Sequence, residues 1–248
     1  EQCSDIAPNM VIEVPDGNVT IARELDILPV EVVVRKYLTG SSDTAIWTHY
    51  ERGVRDYCGH RLPNGMVKNQ PFEQAIITPT TKDEIHYELI SSTEILQQKL
   101  VNPDIWERVE NIALTLFARG EELAAKQGLI LVDTKYEMGK DSNGTLTLVD
   151  EIHTPDSSRY WISDTFEERF AASQEPQNVD KEFLRLWFKD NCDPYGDEVL
   201  PVAPRELVIE LSRRYLYLYE RITGEPFPFP TAEEPVQERM QKNLSAYL

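Results

Sequence analysis

Asp133, Lys135 and Glu137 stand two positions apart in LILVDTKYEM, a run with the apolar content of a β-strand. Alternation puts Leu129, Leu131, Asp133, Lys135 and Glu137 on one face, which starts as core and becomes charged. A second strand-like run, TLTLVDEIHT, places Leu146, Leu148 and Asp150 in one phase, and GKDSNG between them supplies Asn143-Gly144 as a hairpin turn. The hairpin therefore brings Asp133, Glu137 and Asp150 to one end of a sheet. Carboxylates about 4 Å apart repel by roughly 4 kcal/mol at an effective dielectric of 20, so such a cluster persists only with a cation, a lysine or a raised pKa. Lys135 supplies one charge. The remaining carboxylates suit a magnesium ion carrying nucleotide phosphates, because magnesium takes one or two protein carboxylates and keeps its other positions for water and phosphate. A solvent-facing charged hairpin is the competing reading.

The next residues, DEIHTPDSSRYW, pass from a strand through a Thr-Pro break into a turn of Asp156, Ser157, Ser158 and Arg159 beside Tyr160 and Trp161. Short hydroxyls and an arginine in a tight turn can hold a phosphate or carboxylate, and Asp156 can accept from a substrate amine. Alternatively Arg159 pairs with Glu151.

Around these segments the sequence predicts an α+β fold, an antiparallel sheet carrying the site on its edge loops with helices packed behind it. Val11 to Leu38 reads as a small meander, VIEV, NVTIA and PVEVVVRKYL. Residues 39 to 82 are rich in Gly, Ser, Thr, Asn and Pro and read as site-forming loops. Asn102-Pro103 opens a helix with Ile105, Val109, Ile112, Leu116 and Leu123 on one face, closed by Gly128. Further helices follow in VDKEFLRLWFKD, between Pro204 and Gly224, and near residues 233 to 247.

Forty-three acidic against 25 basic residues in 248 leave a net charge of -18, which argues against general nucleic-acid or anionic-membrane binding. Anionic ligands therefore need local basic pockets or a metal. Three cysteines, Cys3, Cys58 and Cys192, are too few and too dispersed for a disulfide framework or a CxxC zinc site, so a reducing, cytoplasmic home is expected. No apolar run long enough to span a membrane and no signal peptide is present, and the chain opens in what reads as a polar connection. No segment carries a sustained heptad, so the oligomeric state is not legible.

LILVDTKYEMG followed by DEIHTPDSSRYW resembles the paired signature of SAICAR synthetase, the phosphoribosylaminoimidazole-succinocarboxamide synthase of purine biosynthesis. The resemblance continues in LPVEVVVRKYLTGSS at 28 to 42, ITPTTKDEIH at 77 to 86 and NVDKEFLRLWF at 178 to 188. The loop-rich residues 42 to 70 are similar to the longer branch of the family found in plants and some bacteria. This resemblance implies an ATP- and magnesium-dependent ligase that joins the carboxylate of an aminoimidazole ribonucleotide to the amine of L-aspartate. It implies Glu137 and Asp150 as metal carboxylates and Lys135 as the lysine near the transferring phosphate. Arg35 and Ser41, with Arg159 and Arg185, would hold the ribonucleotide phosphate. Glu31 would face the imidazole, with Ser157 and Ser158 in the binding turn. The backbone at Ile27, Leu28 and Pro29 would form the adenine-binding hinge, and Lys82, His86 and Asp156 would lie near the reacting carboxylate and the aspartate.

The resemblance also implies a division into residues 1–38, the remainder of an ATP-binding lobe with its hinge, and 39–248, the substrate- and metal-binding domain. Two departures accompany it. The family's additional small lobe with a G-K-V-R-D loop is not in the sequence, and His86-Tyr87 stands where the family has His-Asp. A phenol with an unperturbed pKa near 10 cannot replace a carboxylate at neutral pH. A ligand-binding but impaired homologue and, more remotely, a metal-dependent phosphohydrolase are the rival readings.

Overall fold

Two runs dominate the architecture, the valine-rich one near residue 32 and the long apolar one that follows Gly128. The computed structural model describes residues 2–42, 44–82, 88–194, 196, 198–229 and 234–247. Its first elements are β1 (Val11–Asp16), β2 (Val19–Ala22), β3 (Asp26–Ile27), β4 (Val30–Tyr37), α1 (Ile46–Glu51), β5 (Asp56–Tyr57), β6 (His60–Arg61), β7 (Pro71–Ile77) and β8 (Thr80–Thr81). They continue with α2 (Ser92–Gln97), α3 (Pro103–Lys126), β9 (Leu129–Lys140), β10 (Leu146–Val149) and β11 (Ser158–Ile162). Helices α4 (Ser163–Ala171), α5 (Glu182–Asn191), α6 (Arg205–Thr223) and α7 (Val236–Asn243) follow.

Strand β9 is the axis of the antiparallel main sheet. On one side it pairs with β4, from Val32↔Tyr136 to Arg35↔Asp133, and with β3. On its other side β10 covers the far half and β11 the near half, and β7 and β8 extend the sheet beyond β4. The expected meander is thus split. β1 and β2 form a separate two-stranded sheet, whereas β4 lies deep in the main one.

Helix α3 covers one face of this sheet. Asn102 caps it through the Asp104 N–H at 3.0 Å, with Pro103 at its first turn. Its buried face is rotated from the predicted stripe: Trp106, Val109, Ala113, Leu116, Phe117, Gly120 and Ala124 are buried. Small residues set this rotation, because a Cβ on Gly120 would come within 2.7 Å of Leu131, so alanine and glycine let the helix backbone settle onto β9. Burying each large aliphatic chain there stabilises by about 1.5–3 kcal/mol.

The face of β9 also needs correction. Leu129 and Leu131 pack in the α3 core, but so do Tyr136 and Met138, while Val132 joins Trp161 and Phe166 in a separate cluster. The switch in parity comes from an irregularity opposite β11, where Arg159 pairs with Asp133 but Tyr160 with Leu131. The extra residue turns Asp133, Lys135 and Glu137 away from the face on which Leu129 and Leu131 sit. Strict alternation cannot foresee that.

The loop-rich reading of residues 39 to 82 missed β7, an edge strand whose burial does not alternate. Three short helices were missed as well, α1 within that same stretch among them. α2 is opened by a capping box between Ser91 and Glu94, and α4 follows β11 directly. Among the described residues Cys3, Cys58 and Cys192 form no disulfide. Among the described residues no helix is long and apolar enough to cross a membrane.

One charged row staples the sheet's other face. Arg35, Asp133 and Arg159 are register partners on β4, β9 and β11. Asp133 Oδ2 accepts from Arg35 Nη1 at 3.1 Å and from Arg159 Nη1 at 2.9 Å, and all three side chains are at most 13% exposed. Removing the carboxylate leaves two guanidiniums with no shared counter-charge. Asp133→Asn is therefore expected to cost about 3–5 kcal/mol in urea unfolding, with added inorganic phosphate stabilising the variant more than the parent. A variant within about 1 kcal/mol of the parent would show that the row is not a staple.

Candidate active site

β4, β9 and the segment between β10 and β11 enclose a cleft of about 430 Å³. Its lining includes Glu31, Arg35, Lys135, Asp150, Asp156, Ser157, Ser158, Arg159 and Arg185. Sequence-predicted residues up to 154 positions apart, from Glu31 to Arg185, thus meet in one place. Glu137, Lys82 and Ser41 are not part of this lining; Glu137 is bonded to Lys135, Lys82 to Glu137 and Ser41 to Glu182. His86 and Tyr87 lie outside the described residues.

At one end the lysine organises the carboxylates. Lys135 Nζ lies 2.5 Å from Glu137 Oε1, 3.2 Å from Asp150 Oδ2 and 3.4 Å from Glu31 Oε1. Lys82 Nζ, carried by the segment after β8, takes the other oxygen of Glu137. Burial alone would push Lys135 down, but its bond to Glu137 and the charge of Glu31 hold the ammonium above its ordinary range. Burial likewise works against the Glu137 anion, yet the two lysines bring its pKa below the usual value. Glu31 is the opposite case: burial outweighs Lys135 and raises its carboxyl. Asp150 reaches this point because its left-handed backbone, φ 59°, ends β10 and turns the carboxylate to Lys135 instead of continuing the core face of Leu146 and Leu148.

The fit to magnesium rests on this convergence. Glu137 and Asp150 already share one cation within hydrogen-bonding distance, the two-carboxylate donor set the metal favours alongside water and phosphate. Among the described residues no group of three or more His, Cys, Asp or Glu side chains is arranged to hold a metal ion.

Arginines gather at the other end. Arg35 donates from Nε to Thr78 at 2.9 Å as well as to Asp133, so it is more deeply committed to the sheet than the sequence suggested. Arg159 does not pair with Glu151; its Nε is buried without a hydrogen-bond partner, 3.7 Å from Glu182 Oε2. Arg185 is the exposed member, 47% accessible and 3.6 Å from the same carboxylate, and Ser41 donates to the other oxygen of Glu182. Gly40 makes room for this group: its φ is +103° and a Cβ there would sit 2.9 Å from Arg159 Nη1.

Between the ends, Asp156 accepts from Lys181 and, at 3.2 Å, from the Tyr215 hydroxyl of α6. The Lys181 bond holds its carboxyl below the usual range. Asp180 accepts the backbone N–H groups of Tyr160 at 3.1 Å and Glu182 at 2.8 Å, and burial pushes it up to about 6. Asp180, Lys181 and Glu182 were not singled out individually from sequence, although they sit in the NVDKEFLRLWF motif beside Arg185. Ser158 shares a 2.7 Å hydrogen bond with Thr134, and Ser157 closes the turn through Thr154.

Ile27, Leu28 and Pro29 are not brought into the cleft lining. Leu28 is buried with its N–H on Met138 C=O at 2.9 Å, and Pro29 C=O accepts from Lys82 N–H at 3.0 Å. They lie along the far half of β9, where Gly139 lets the Leu25–Ile27 segment approach to about 3.1 Å of its missing Cβ.

Comparison with known proteins supplies an independent line. The SAICAR synthetase family model matches residues 2–202. The phosphoribosylaminoimidazole-succinocarboxamide synthase of Legionella pneumophila (strain Lens) is 54% identical over 98% of this chain and 78% of its own. The chloroplastic enzyme of that name from Arabidopsis thaliana is 52% identical over 98% of this chain and 59% of its own. Among solved structures, SAICAR synthase from Saccharomyces cerevisiae complexed with SAICAR superposes with a TM-score of 0.70 at 28% identity, covering 91% of this chain and 78% of that one. A SAICAR synthetase in complex with ADP gives 0.65 at 27% identity, covering 91% and 76%. With sequence, fold and the order of its motifs in agreement, the chain belongs to the SAICAR synthetase family.

Proposed function

We propose that this chain catalyses ATP-dependent amide-bond formation between 5-amino-1-(5-phospho-D-ribosyl)imidazole-4-carboxylate and L-aspartate, giving SAICAR. The single observation that carries the residue-level reading is the polarity of one cleft, with a lysine-bridged carboxylate pair at one end and three arginines at the other. A carboxylate resists attack by an amine until it is activated. The reaction therefore needs phosphoryl transfer from ATP to a carboxylate oxygen, releasing ADP, followed by amine attack on the acyl carbon and loss of phosphate.

Glu137 and Asp150 would hold magnesium, which supplies charge neutralisation for the nucleotide phosphates. Lys135 would stand beside the transferring group, and Lys82 fixes Glu137 in place. Arg159 and Arg185 bind the ribonucleotide phosphate, with Arg35 holding Asp133 and thereby Arg159 in register, and Ser41 orienting Glu182. Glu31 faces the imidazole; its raised carboxyl suits a hydrogen bond to a ring amine. Asp156, held ionised by Lys181, accepts from the aspartate ammonium and orients it rather than acting as a strong base. Ser157 and Ser158 line the turn between the two ends.

In this reading residues 1–38 contribute the nucleotide-facing hinge at Ile27, Leu28 and Pro29, and 39–248 the substrate and metal surface, although β4 places both in one sheet. A reducing, cytoplasmic setting belongs to the same proposal, alongside a plant relative named as chloroplastic.

Two measurements test it. With ribonucleotide and magnesium-ATP present, ADP release is expected to require L-aspartate and to match SAICAR formed mole for mole. Phosphate release at the same rate without aspartate would instead identify a phosphohydrolase, and ligand binding without turnover an impaired homologue. Separately, Arg185→Ala removes an exposed charge-assisted contact of roughly 1.5–3 kcal/mol. Calorimetry is expected to find ribonucleotide binding weakened about ten- to hundred-fold and magnesium-ATP binding unchanged. Equal weakening of both would remove Arg185 from the phosphate site.

A further inference from the structure

The pairing on one side of β9 is interrupted. Val149 pairs with Glu137 and Ser158 with Thr134, so residues 150–157 leave the sheet opposite Lys135 and Tyr136. This segment carries Asp150, Asp156 and Ser157. Two of its residues, Asp150 and His153, have φ 59°, a left-handed conformation that a non-glycine residue keeps only when its surroundings impose it.

Both faces of β9 supply the constraint. On the cleft face Lys135 Nζ holds Asp150, and the Lys135 N–H donates to Ser157 C=O at 3.0 Å. On the core face His153 Nε2 lies 2.7 Å from the Tyr136 hydroxyl, and His153 C=O accepts from the Tyr160 hydroxyl at 2.9 Å. The imidazole rests directly on α3, where a Cβ on Gly120 would come within 2.7 Å of Nε2 and 2.8 Å of Cε1. Burial lowers the ring to about 4, so at neutral pH an uncharged imidazole shares this hydrogen bond with the Tyr136 hydroxyl.

We propose that His153 is a positioning residue: seated on Gly120 and bonded to Tyr136, it sets the height of residues 150–157 above Lys135 and so the placement of Asp150 and Ser157 in the cleft. Tyr136 lies between Lys135 and Glu137 in the strand, so one side chain on the core face is coupled to two on the cleft face. The arginine end has an anchor of its own, because Arg35 and Arg159 stand on paired strands and share Asp133. Only the kinetic arm of the test rests on the reaction proposed above.

Tyr136→Phe deletes one oxygen and leaves the packing, His153→Leu deletes the ring, and His153→Gln keeps an acceptor within reach of Tyr136. Hydrogen exchange on the ligand-free protein reports through the Lys135 and Ser158 amides, which are bonded to Ser157 C=O and Thr154 C=O. Exchange at both is expected to rise at least about ten-fold in Tyr136→Phe and His153→Leu, less in His153→Gln, with β4 unchanged. In the same variants kcat should fall about ten-fold and the magnesium needed for half-maximal rate should rise, while calorimetric affinity for the ribonucleotide stays within about two-fold. Unchanged exchange at Lys135 and Ser158 in Tyr136→Phe would overturn the clamp. Faster exchange throughout the sheet, or parallel loss of ribonucleotide affinity, would reduce His153 to general support and overturn the positioning role. If the parent makes no SAICAR, the exchange result still decides the clamp, and the failure belongs to the proposed reaction.

Discussion

Three carboxylates, Glu31, Glu137 and Asp150, converge on one ammonium, and much of the cleft follows from that constraint. Without Lys135 their mutual repulsion would favour splaying or protonation. Glu31 and Lys135 come from neighbouring paired strands, and Glu137 from two residues further along β9. Asp150 must leave β10 in a left-handed turn to join them. Lys82 then completes Glu137 from the β8 side. Lys135 thus holds the three carboxylates together across two strands and a turn.

The opposite end of the cleft uses the same sheet in a different way. Asp133 is shared by two arginines across three strands, which orders the guanidiniums while leaving Arg159 Nε unsatisfied. A buried donor without a partner costs roughly 1–3 kcal/mol, a cost that an arriving anion can relieve. The cleft is therefore polarised by position along β9: Asp133 stands between the arginines, Lys135 marks the middle, and Glu137 lies at the end of the lysine-bridged carboxylates. Spacing by two residues along a strand sets about 6.8 Å between successive side chains on a face.

What was legible in the chain was the chemistry and its order. D-x-K-x-E before a D-S-S-R turn places acid, base and arginine on adjoining strands, and their meeting in one cleft follows from hairpin pairing. The long helix was readable because Asn102-Pro103 and Gly128 are local signals. Less visible was anything settled by a partner distant in sequence. The parity switch beside Val132 depends on β11, the rotation of α3 depends on how closely Gly120 meets Leu131 and His153, and β7 depends on the edge offered by β4. Arg159 illustrates the same limit: its sequence neighbour Glu151 looked like a partner, whereas register selects Asp133. The histidine in DEIHTPDSSRYW showed no chemistry in sequence, because its role arises only when α3 and Tyr136 enclose it.

The central claim is that Glu137 and Asp150 form one cation position, occupied by lysine ammonium groups in the ligand-free protein. Calorimetric titration of magnesium-ATP into the parent and Glu137→Gln tests it most directly, with unfolding curves run on the metal-free proteins. The account predicts weaker magnesium-dependent nucleotide binding in the variant, together with a modest loss of metal-free stability, since both lysines lose a charged partner. Equal magnesium-ATP affinity in the two proteins would contradict it.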